Sequence, residues 1–120
     1  MHVRTIRSKV VGVTFPNPDG SDRQRIIRKF CRAGKSLDVR PEPDNPHSKN
    51  AIGLWVRARR FFLFPTRYQI GHINDELAGE LREDIDQGCG VSVRILDVTG
   101  GGWFRKRNYG VNIEIELTSP

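Results

Sequence analysis

The sequence has few cysteines and lacks any long hydrophobic run. Its 120 residues include two cysteines, Cys31 and Cys89, whereas a chain this short that is held together by disulfides usually has more. No stretch approaches the roughly 20 apolar residues of a membrane span. The N-terminal stretch contains Arg4, Arg7 and Lys9 instead of the apolar run of a signal peptide. We therefore expect two free thiols in a soluble, cytoplasmic protein, associated with the nucleoid if its source is bacterial.

Motifs for metal binding and catalysis are also missing. The two cysteines and two of the three histidines could ligate zinc, but no pair of them has the spacing of a zinc site. The carboxylates that a metal-dependent nuclease needs are gathered in residues 74–88, with no histidine pair beside them. The glycines at 100–102 lack the Gly-Lys-Ser/Thr ending of a phosphate-binding loop. We expect no metal, no cofactor and no intrinsic catalysis, so any catalysis would belong to a fused or associated helicase, ATPase or nuclease.

Positive charge is what the chain has in excess. Lys and Arg total 20 against 14 Asp and Glu, which gives a net charge of +6 and a pI near 9.9. Residues 74–88 contain six acids and one base, so the remainder of the chain carries +11. Such a field attracts polyanions and suits contacts with phosphates. Nucleic acid is therefore the leading candidate for a partner.

Hydrophobic periodicity predicts a mainly β domain of the α+β class. About six strands and two short helices fit in a single domain over residues 1–120. Curled antiparallel sheets of this size usually close into a small barrel or a sandwich. The predicted strands are 3–15, 35–40, 51–56, 68–73, 91–95 and 111–117.

Each predicted helix has signals at its ends. Ser21 with Gln24 fits a capping box for the first helix, and Gly34 suits its C-terminal stop. Asn74 caps the second helix, whose Leu77 and Leu81 begin an apolar stripe. We expect both helices to be short, with apolar residues at helical spacing.

A proline-rich loop at 40–52 is the most informative segment. Prolines fix φ and push the residues before them into extended conformations, so the loop is stiff. It presents His47, Ser48, Lys49 and Asn50 in fixed directions, and these groups can bind a ligand. We expect Asn45 and Asn50 to be mostly structural, because asparagines in loops often bond to nearby backbone.

Several motifs together resemble the HIRAN domain. They are Val-Gly-Val-Thr-Phe (11–15), Arg-Gln at a helix start (23–24), Gly-Lys-Ser-Leu (34–37), Glu-Pro-Asp-Asn-Pro-His-Ser-Lys-Asn-Ala-Ile (42–52), Gln-Ile-Gly-His-Ile (69–73) and Glu-Leu-Ala (76–78). The resemblance covers roughly residues 10–117. It implies a small OB-like β-barrel that binds DNA, in some members by capturing the 3′-hydroxyl end of a single strand. It also implies DNA repair or replication as the setting, with a helicase or ATPase as a possible partner.

The resemblance further implies roles for individual residues. Phe15 and His47 fall at the positions of two aromatic side chains that stack on terminal bases, although the second is usually tyrosine. Ser48 falls where an aspartate usually holds the 3′-hydroxyl, and Thr14 replaces a basic residue. His72 falls near a phosphate. A neutral serine makes a weaker hydrogen bond than a carboxylate, so strand binding is better supported than 3′-end specificity.

Alternatives remain open at these positions. Phe15 continues the alternation of Val11 and Val13, so spacing alone favours a buried core residue. The helix N-terminus after His72 could assist phosphate binding, but Asp75 and Glu76 oppose this.

Two loops add further candidates. In one loop, aromatic and basic side chains alternate at Trp103, Arg105 and Lys106, which suits base stacking together with phosphate contact. In the alternative interpretation, this loop is an ordinary hairpin and Trp103 folds back onto the domain. The other loop, residues 57–67 with Phe61 to Phe64, has three possible interpretations: a longer hairpin, a DNA contact or a self-association surface.

We expect the whole domain to be a module for single-stranded DNA or DNA ends. The alternative is a protein-interaction or dimerisation module that uses Phe61 to Phe64.

Overall fold

The alternating apolar and polar segments form strands, and the two capped segments form helices. The computed structural model describes residues 2–60, 64–102 and 107–120, with Arg60 described by its backbone alone. The elements in chain order are β1 (Val3–Lys9), α1 (Arg23–Phe30), β2 (Ser36–Pro41), β3 (Ile52–Arg60), β4 (Phe64–His72), α2 (Asp75–Asp86), β5 (Gly90–Gly101) and β6 (Arg107–Thr118).

All six strands belong to one antiparallel sheet. Their order is β1-β6-β5-β2-β3-β4, and the register places Ile6 opposite Ile115 and Val93 opposite the same Ile115. The sheet is not closed by a continuous ladder. Instead, Val11 and His72 form a single antiparallel bridge between the chain after β1 and the end of β4. The predicted mainly β fold with six strands and two helices is confirmed, and this curled, open sheet is compatible with the OB-like description.

The core lies on the inner face of the curled sheet. The inward side chains of β6 predicted from alternation are buried, and Val111, Ile113 and Ile115 are fully so. Both helices contribute to the same cluster, α1 through Ile26 and Ile27 and α2 through Ala78 and Leu81.

The first strand is shorter than predicted, because the chain turns soon after Lys9. Gly12 adopts a φ of 75°, a left-handed conformation that favours glycine. The backbone N–H of Phe15 then donates to the carbonyl of Gly12 at 3.2 Å. The turn breaks the alternation that began at Val11. Phe15 is consequently 65% exposed, and the core position that spacing favoured for it is wrong.

Helix α1 begins one residue later than the predicted capping box. Asp22 is the N-cap and accepts from the Gln24 N–H at 2.9 Å, whereas Ser21 hydrogen-bonds to Asp19. The Gln24 side chain leaves the helix end and exchanges hydrogen bonds with the Tyr109 backbone. The helix ends at a C-cap of Cys31, so Gly34 lies in the following turn. For α2 the predicted Asn74 cap is confirmed, because Asn74 Oδ1 accepts hydrogen bonds from the backbone N–H groups of Glu76 and Leu77.

Both long hairpins extend further than periodicity indicated. Residues 57–60 and 64–67 continue β3 and β4 as paired strands, which is the longer-hairpin alternative. Strand β5 runs through Gly101, which pairs with Arg107. The two tips, 61–63 and 103–106, lie outside the described residues, and with them Phe61, Phe62, Trp103, Arg105 and Lys106.

Both cysteines are free, as expected, and burial raises the pKa of the Cys31 thiol to about 11. Within the described ranges, no three His, Cys, Asp or Glu side chains are grouped so that they could hold a metal ion. Among the same residues, no helix is long and apolar enough to cross a membrane.

Candidate nucleic-acid interface

A pocket of about 680 Å³ opens beside the Val11–His72 bridge. Four segments form its wall: the turn after β1, the first residue of α1, the proline-rich loop after β2, and the end of β4 with the start of α2. Its lining includes Val11, Gly12, Phe15, Pro16, Pro18, Arg23, Glu42, Asn45, Pro46, His47, Ser48, Ala51, Gln69, His72, Ile73 and Asp75.

The turn after β1 presents an exposed aromatic ring. The Gly12 carbonyl accepts two hydrogen bonds, from the Phe15 N–H at 3.2 Å and from Arg23 Nη1 at 2.8 Å. A Cβ at Gly12 would lie 3.1 Å from Arg23 Nη1, so glycine suits both the φ and the close approach. Because the same carbonyl anchors both contacts, Arg23 helps to fix the position of Phe15.

Arg23 is a buried cation in the pocket wall, with 5% of its surface exposed. Its Nε donates to Asn17 Oδ1 at 2.7 Å, and Asn17 in turn donates to the Gln69 carbonyl on β4 at 2.9 Å. Burial lowers the pKa of Arg23, and the charge of Glu42 acts in the opposite direction. An arginine stays protonated under these conditions, so the pocket wall contains a permanent positive charge close to the Glu42 carboxylate.

The proline-rich loop is held by its own side chains. Asn45 Oδ1 accepts from the backbone N–H groups of His47 at 2.8 Å and Ser48 at 3.3 Å. Ser48 Oγ accepts from the Asn50 N–H at 3.2 Å, which leaves its hydroxyl hydrogen available to a ligand. The Asn50 side chain makes no hydrogen bond to the loop in the described part of the chain. Asn45 therefore has the expected structural role, and Asn50 does not.

Glu42 is the centre of a polar network at the base of the pocket. Its carboxylate lies 2.9 Å from His72 Nε2 and accepts from Asn45 Nδ2 at 3.0 Å and from Gln69 Nε2 at 3.1 Å. Burial acts to raise the pKa of Glu42, but these hydrogen bonds and the charge of His72 outweigh it, so the pKa is lowered. The carboxylate is therefore ionised at neutral pH.

Gly53 on β3 makes room for this network. A Cβ there would collide with Glu42 Oε2 and lie 2.9 Å from Gln69 Nε2. The absence of a side chain on β3 thus lets a carboxylate from the loop and an amide from β4 meet over the strand.

The structure brings together five of the ten predicted site residues. Phe15, Asn45, His47, Ser48 and His72 line the pocket. Thr14 and Lys49 are exposed but lie outside its lining, and Trp103, Arg105 and Lys106 are outside the described residues.

Three residues of the pocket were missed by sequence reasoning. Glu42, Arg23 and Gln69 all stand in motifs that carry the family resemblance, but the motifs alone do not show that these side chains meet at the pocket. Asp75 also lines the pocket and places a carboxylate in the first turn of α2, which disfavours a phosphate at that helix end.

Comparison with known proteins now identifies the family. The family model described as the HIRAN domain matches residues 3–119. The chain belongs to the HIRAN family. HIRAN domains form a family of DNA-binding modules, and the resemblance expected from the sequence is confirmed.

The fold of this HIRAN domain also matches a solved one. The crystal structure of the HIRAN domain of human HLTF superposes with a TM-score of 0.56 at 18% identity, covering 95% of this chain and 76% of that chain. At that identity the match establishes the shared fold. No curated protein sequence is significantly similar to this chain.

Proposed function

We propose that this HIRAN domain binds single-stranded DNA, and 3′ ends in particular, in the pocket between Phe15 and the proline-rich loop. The observation that supports this most directly is that an exposed aromatic ring, a loop histidine and a buried arginine line one pocket. Its volume of about 680 Å³ lies within the range of small-ligand sites, about 300–1,000 Å³. The module acts in DNA repair or replication, and an associated helicase or ATPase supplies the catalysis.

Each part of the pocket suits one part of a nucleotide. Phe15 offers an exposed ring on which a base can stack, and His47 offers a second, smaller one. Arg23 supplies positive charge for a backbone phosphate. The Glu42 carboxylate can accept a hydrogen bond from a terminal hydroxyl, and such a charge-assisted bond is stronger than one to Ser48. Glu42 therefore binds the 3′-hydroxyl, which in the family is usually the role of an aspartate at the position of Ser48.

Binding to a fluorescent single strand tests the stacking role. We expect Phe15→Ala to weaken binding about 10- to 100-fold, because a base stacked on an aromatic ring contributes about 1–3 kcal/mol. His47→Ala should have a smaller effect in the same direction. The matched control is Phe64→Ala, since Phe64 is 63% exposed and Phe15 65%, yet Phe64 lies outside the pocket. Equal losses for the two phenylalanine variants, or no strand binding by the wild type, would contradict the proposal.

The chemistry of the strand end tests the finer part of the proposal. Strands that end in a 3′-hydroxyl and in a 3′-phosphate differ at the atom that meets Glu42. We expect the 3′-phosphate to bind at least about 10-fold more weakly, because two negative charges then meet in a partly buried site. Glu42→Gln should reduce this discrimination. Equal affinities for both ends would exclude hydroxyl capture and leave general single-strand binding in place.

An exposed aromatic residue favours a second candidate, self-association through the β3–β4 hairpin. Phe64 is 63% exposed on β4, which is an edge strand, and exposed edges invite pairing with another chain. Size-exclusion mass with and without DNA tests this. A dimer that Phe64→Asp converts to a monomer with unchanged DNA binding would show that the two surfaces are separate, and a monomer at all concentrations would exclude the second candidate.

A further inference from the structure

A second groove lies on the outer face of the sheet, beside the pocket. Strand register pairs Trp55 with Asp38 of β2 and with Gln69 of β4. Their neighbours along β3, Leu54 and Val56, are fully buried. Because side chains alternate along a strand, Trp55 points away from the core, on the same face as Arg40 and Arg67.

The groove has an apolar floor and basic sides. Its volume is about 400 Å³. Trp55, Pro18 and Pro41 supply apolar surface, and Arg40 and Arg67 supply positive charge. Such a combination suits a nucleotide, whose base is apolar on its faces and whose phosphate is anionic.

Arg40 is held in place without a direct ion pair among the described residues. Its guanidinium carbon lies 4.9 Å from the centroid of the Trp55 ring, within the range of a cation–π contact. In the described part of the chain, the carboxylates in ion pairs with arginine are Asp38 and Glu114, and neither pairs with Arg40. The ring therefore positions Arg40 while its N–H donors remain available to an anion.

Arg67 adds charge on the opposite side of the groove. Its Nε lies 2.6 Å from Asp38 Oδ2, and Arg57 Nη2 lies 3.0 Å from Asp38 Oδ1. Two arginines thus share one carboxylate, which orients both without neutralising them. The groove is also lined by the carboxylates of Asp19 and Glu42, and that of Glu42 is hydrogen-bonded to Asn45 and Gln69. Attraction of a phosphate therefore rests on Arg40 and Arg67 individually and not on a net positive charge of the groove.

Trp55 carries a second sign of a functional surface. Its Nε1 atom is buried and has no hydrogen-bond partner among the described residues. A buried donor without a partner costs stability. This cost falls at a residue whose ring contacts Arg40 and lines the groove.

The groove adjoins the pocket. Pro18, Glu42 and Gln69 line both, so the hydrogen-bonded side chains of Glu42 and Gln69 lie at the boundary between them. For a strand that is longer than the pocket, the groove is therefore a neighbouring surface.

We propose that the groove is a second nucleotide subsite, in which Arg40 and Arg67 bind a backbone phosphate of the strand whose end lies in the pocket. This rests on the proposed function, since it presumes a strand in the pocket. Trp55 acts as the positioning residue for Arg40. The attached base lies against Pro18 and the exposed part of the Trp55 ring.

The salt dependence of strand binding tests the phosphate contact. The probe is an eight-nucleotide oligothymidylate with a free 3′-hydroxyl, titrated at several salt concentrations. We expect Arg40→Gln to weaken binding about 5- to 20-fold at low salt and to reduce the slope of log K against log salt by about 0.7, the value for one contact with a single strand. Trp55→Leu should reproduce part of both effects. Arg59→Gln is the control, because Arg59 is an exposed arginine of β3 outside the groove.

The outcomes separate this proposal from the proposed function. If wild type and Arg40→Gln bind with the same affinity and the same slope, the groove is not a phosphate subsite and the pocket proposal stands. Equal effects of Arg40→Gln and Arg59→Gln would also overturn it, because they would reflect general charge. If Phe15→Ala binds like wild type, the pocket proposal fails and the subsite fails with it.

Neutralising single phosphates identifies the contact directly. In oligothymidylates with one methylphosphonate linkage each, we expect one internal linkage whose neutralisation weakens wild type about 5-fold or more but leaves Arg40→Gln unaffected. Additive effects at every linkage would overturn the assignment of Arg40. Urea unfolding of each variant confirms that the measured losses concern folded protein.

Discussion

Removing the buried cation of the pocket is the sharpest test of how the site is built. Arg23→Met keeps the length and much of the apolar stem but loses the hydrogen bonds to Asn17 Oδ1 and to the Gly12 carbonyl. Hydrogen bonds from a charged donor contribute about 1.5–3 kcal/mol each. The thioether recovers part of this through apolar contact, so we expect the free energy of unfolding to fall by about 3 kcal/mol.

Thermal and urea unfolding measure this loss. The unfolding entropy of a chain of 120 residues is about 0.25 kcal/mol/K, so about 3 kcal/mol lowers Tm by about 12 °C. The control is Arg25→Met on the same helix, because Arg25 is exposed and makes no hydrogen bond among the described residues. We expect a change below about 0.5 kcal/mol for it.

Strand binding adds a second measurement on the same variants. Arg23 anchors the carbonyl that fixes Phe15, so Arg23→Met should weaken binding at least about 10-fold where the protein is folded. Arg23→Lys keeps the charge but lacks the guanidinium fork, and it should recover only part of the affinity. If Arg23→Met matches Arg25→Met in both stability and binding, the reasoning about this site is refuted.

Two further predictions concern the Glu42 network. The pKa of Glu42 is lowered on folding. Its stabilising contribution is therefore present above its unfolded pKa and is lost as pH falls through the folded value. The urea midpoint of wild type should exceed that of Glu42→Gln at pH 7, and the difference between the two midpoints should disappear below about pH 4.5. A constant difference would contradict this. Gly53→Ala should destabilise the protein and weaken its binding to a strand with a 3′-hydroxyl. The control is Gly79→Ala, whose Cβ would lie 3.6 Å from Asn50 Nδ2 and which should stabilise α2 by about 0.5–1 kcal/mol. Similar effects of the two substitutions would contradict the role of Gly53.

Sequence periodicity predicted the strands and helices where local signals were strong. The alternation of β6 and the Asn74 cap were read correctly, because each depends on neighbouring residues. The turn at Gly12 was missed, since the pattern of Val11 and Val13 continues through it and only the left-handed glycine breaks it. The partner of Gln24 was also missed, because Tyr109 is remote in sequence.

The candidate site was predicted in part for the same reason. His47 and Ser48 were found because they share one stiff loop, and Phe15 was found through the family resemblance. Arg23 and Gln69 were not, because their contribution depends on contacts across the fold, to Gly12 and Glu42. The Trp55 groove likewise depends on strand register, which places Arg40 over the ring although the two residues lie on different strands.

The bridge between Val11 and His72 has a consequence for dynamics. Two hydrogen bonds of 2.9 Å join the chain after β1 to the end of β4 at the rim of the pocket. A bridge of only two hydrogen bonds can open locally while the paired strands of the sheet remain folded. Amide hydrogen exchange at Val11 and His72 therefore reports on local opening of the site rather than on global stability. A DNA strand bound across this bridge should slow exchange at these two amides first.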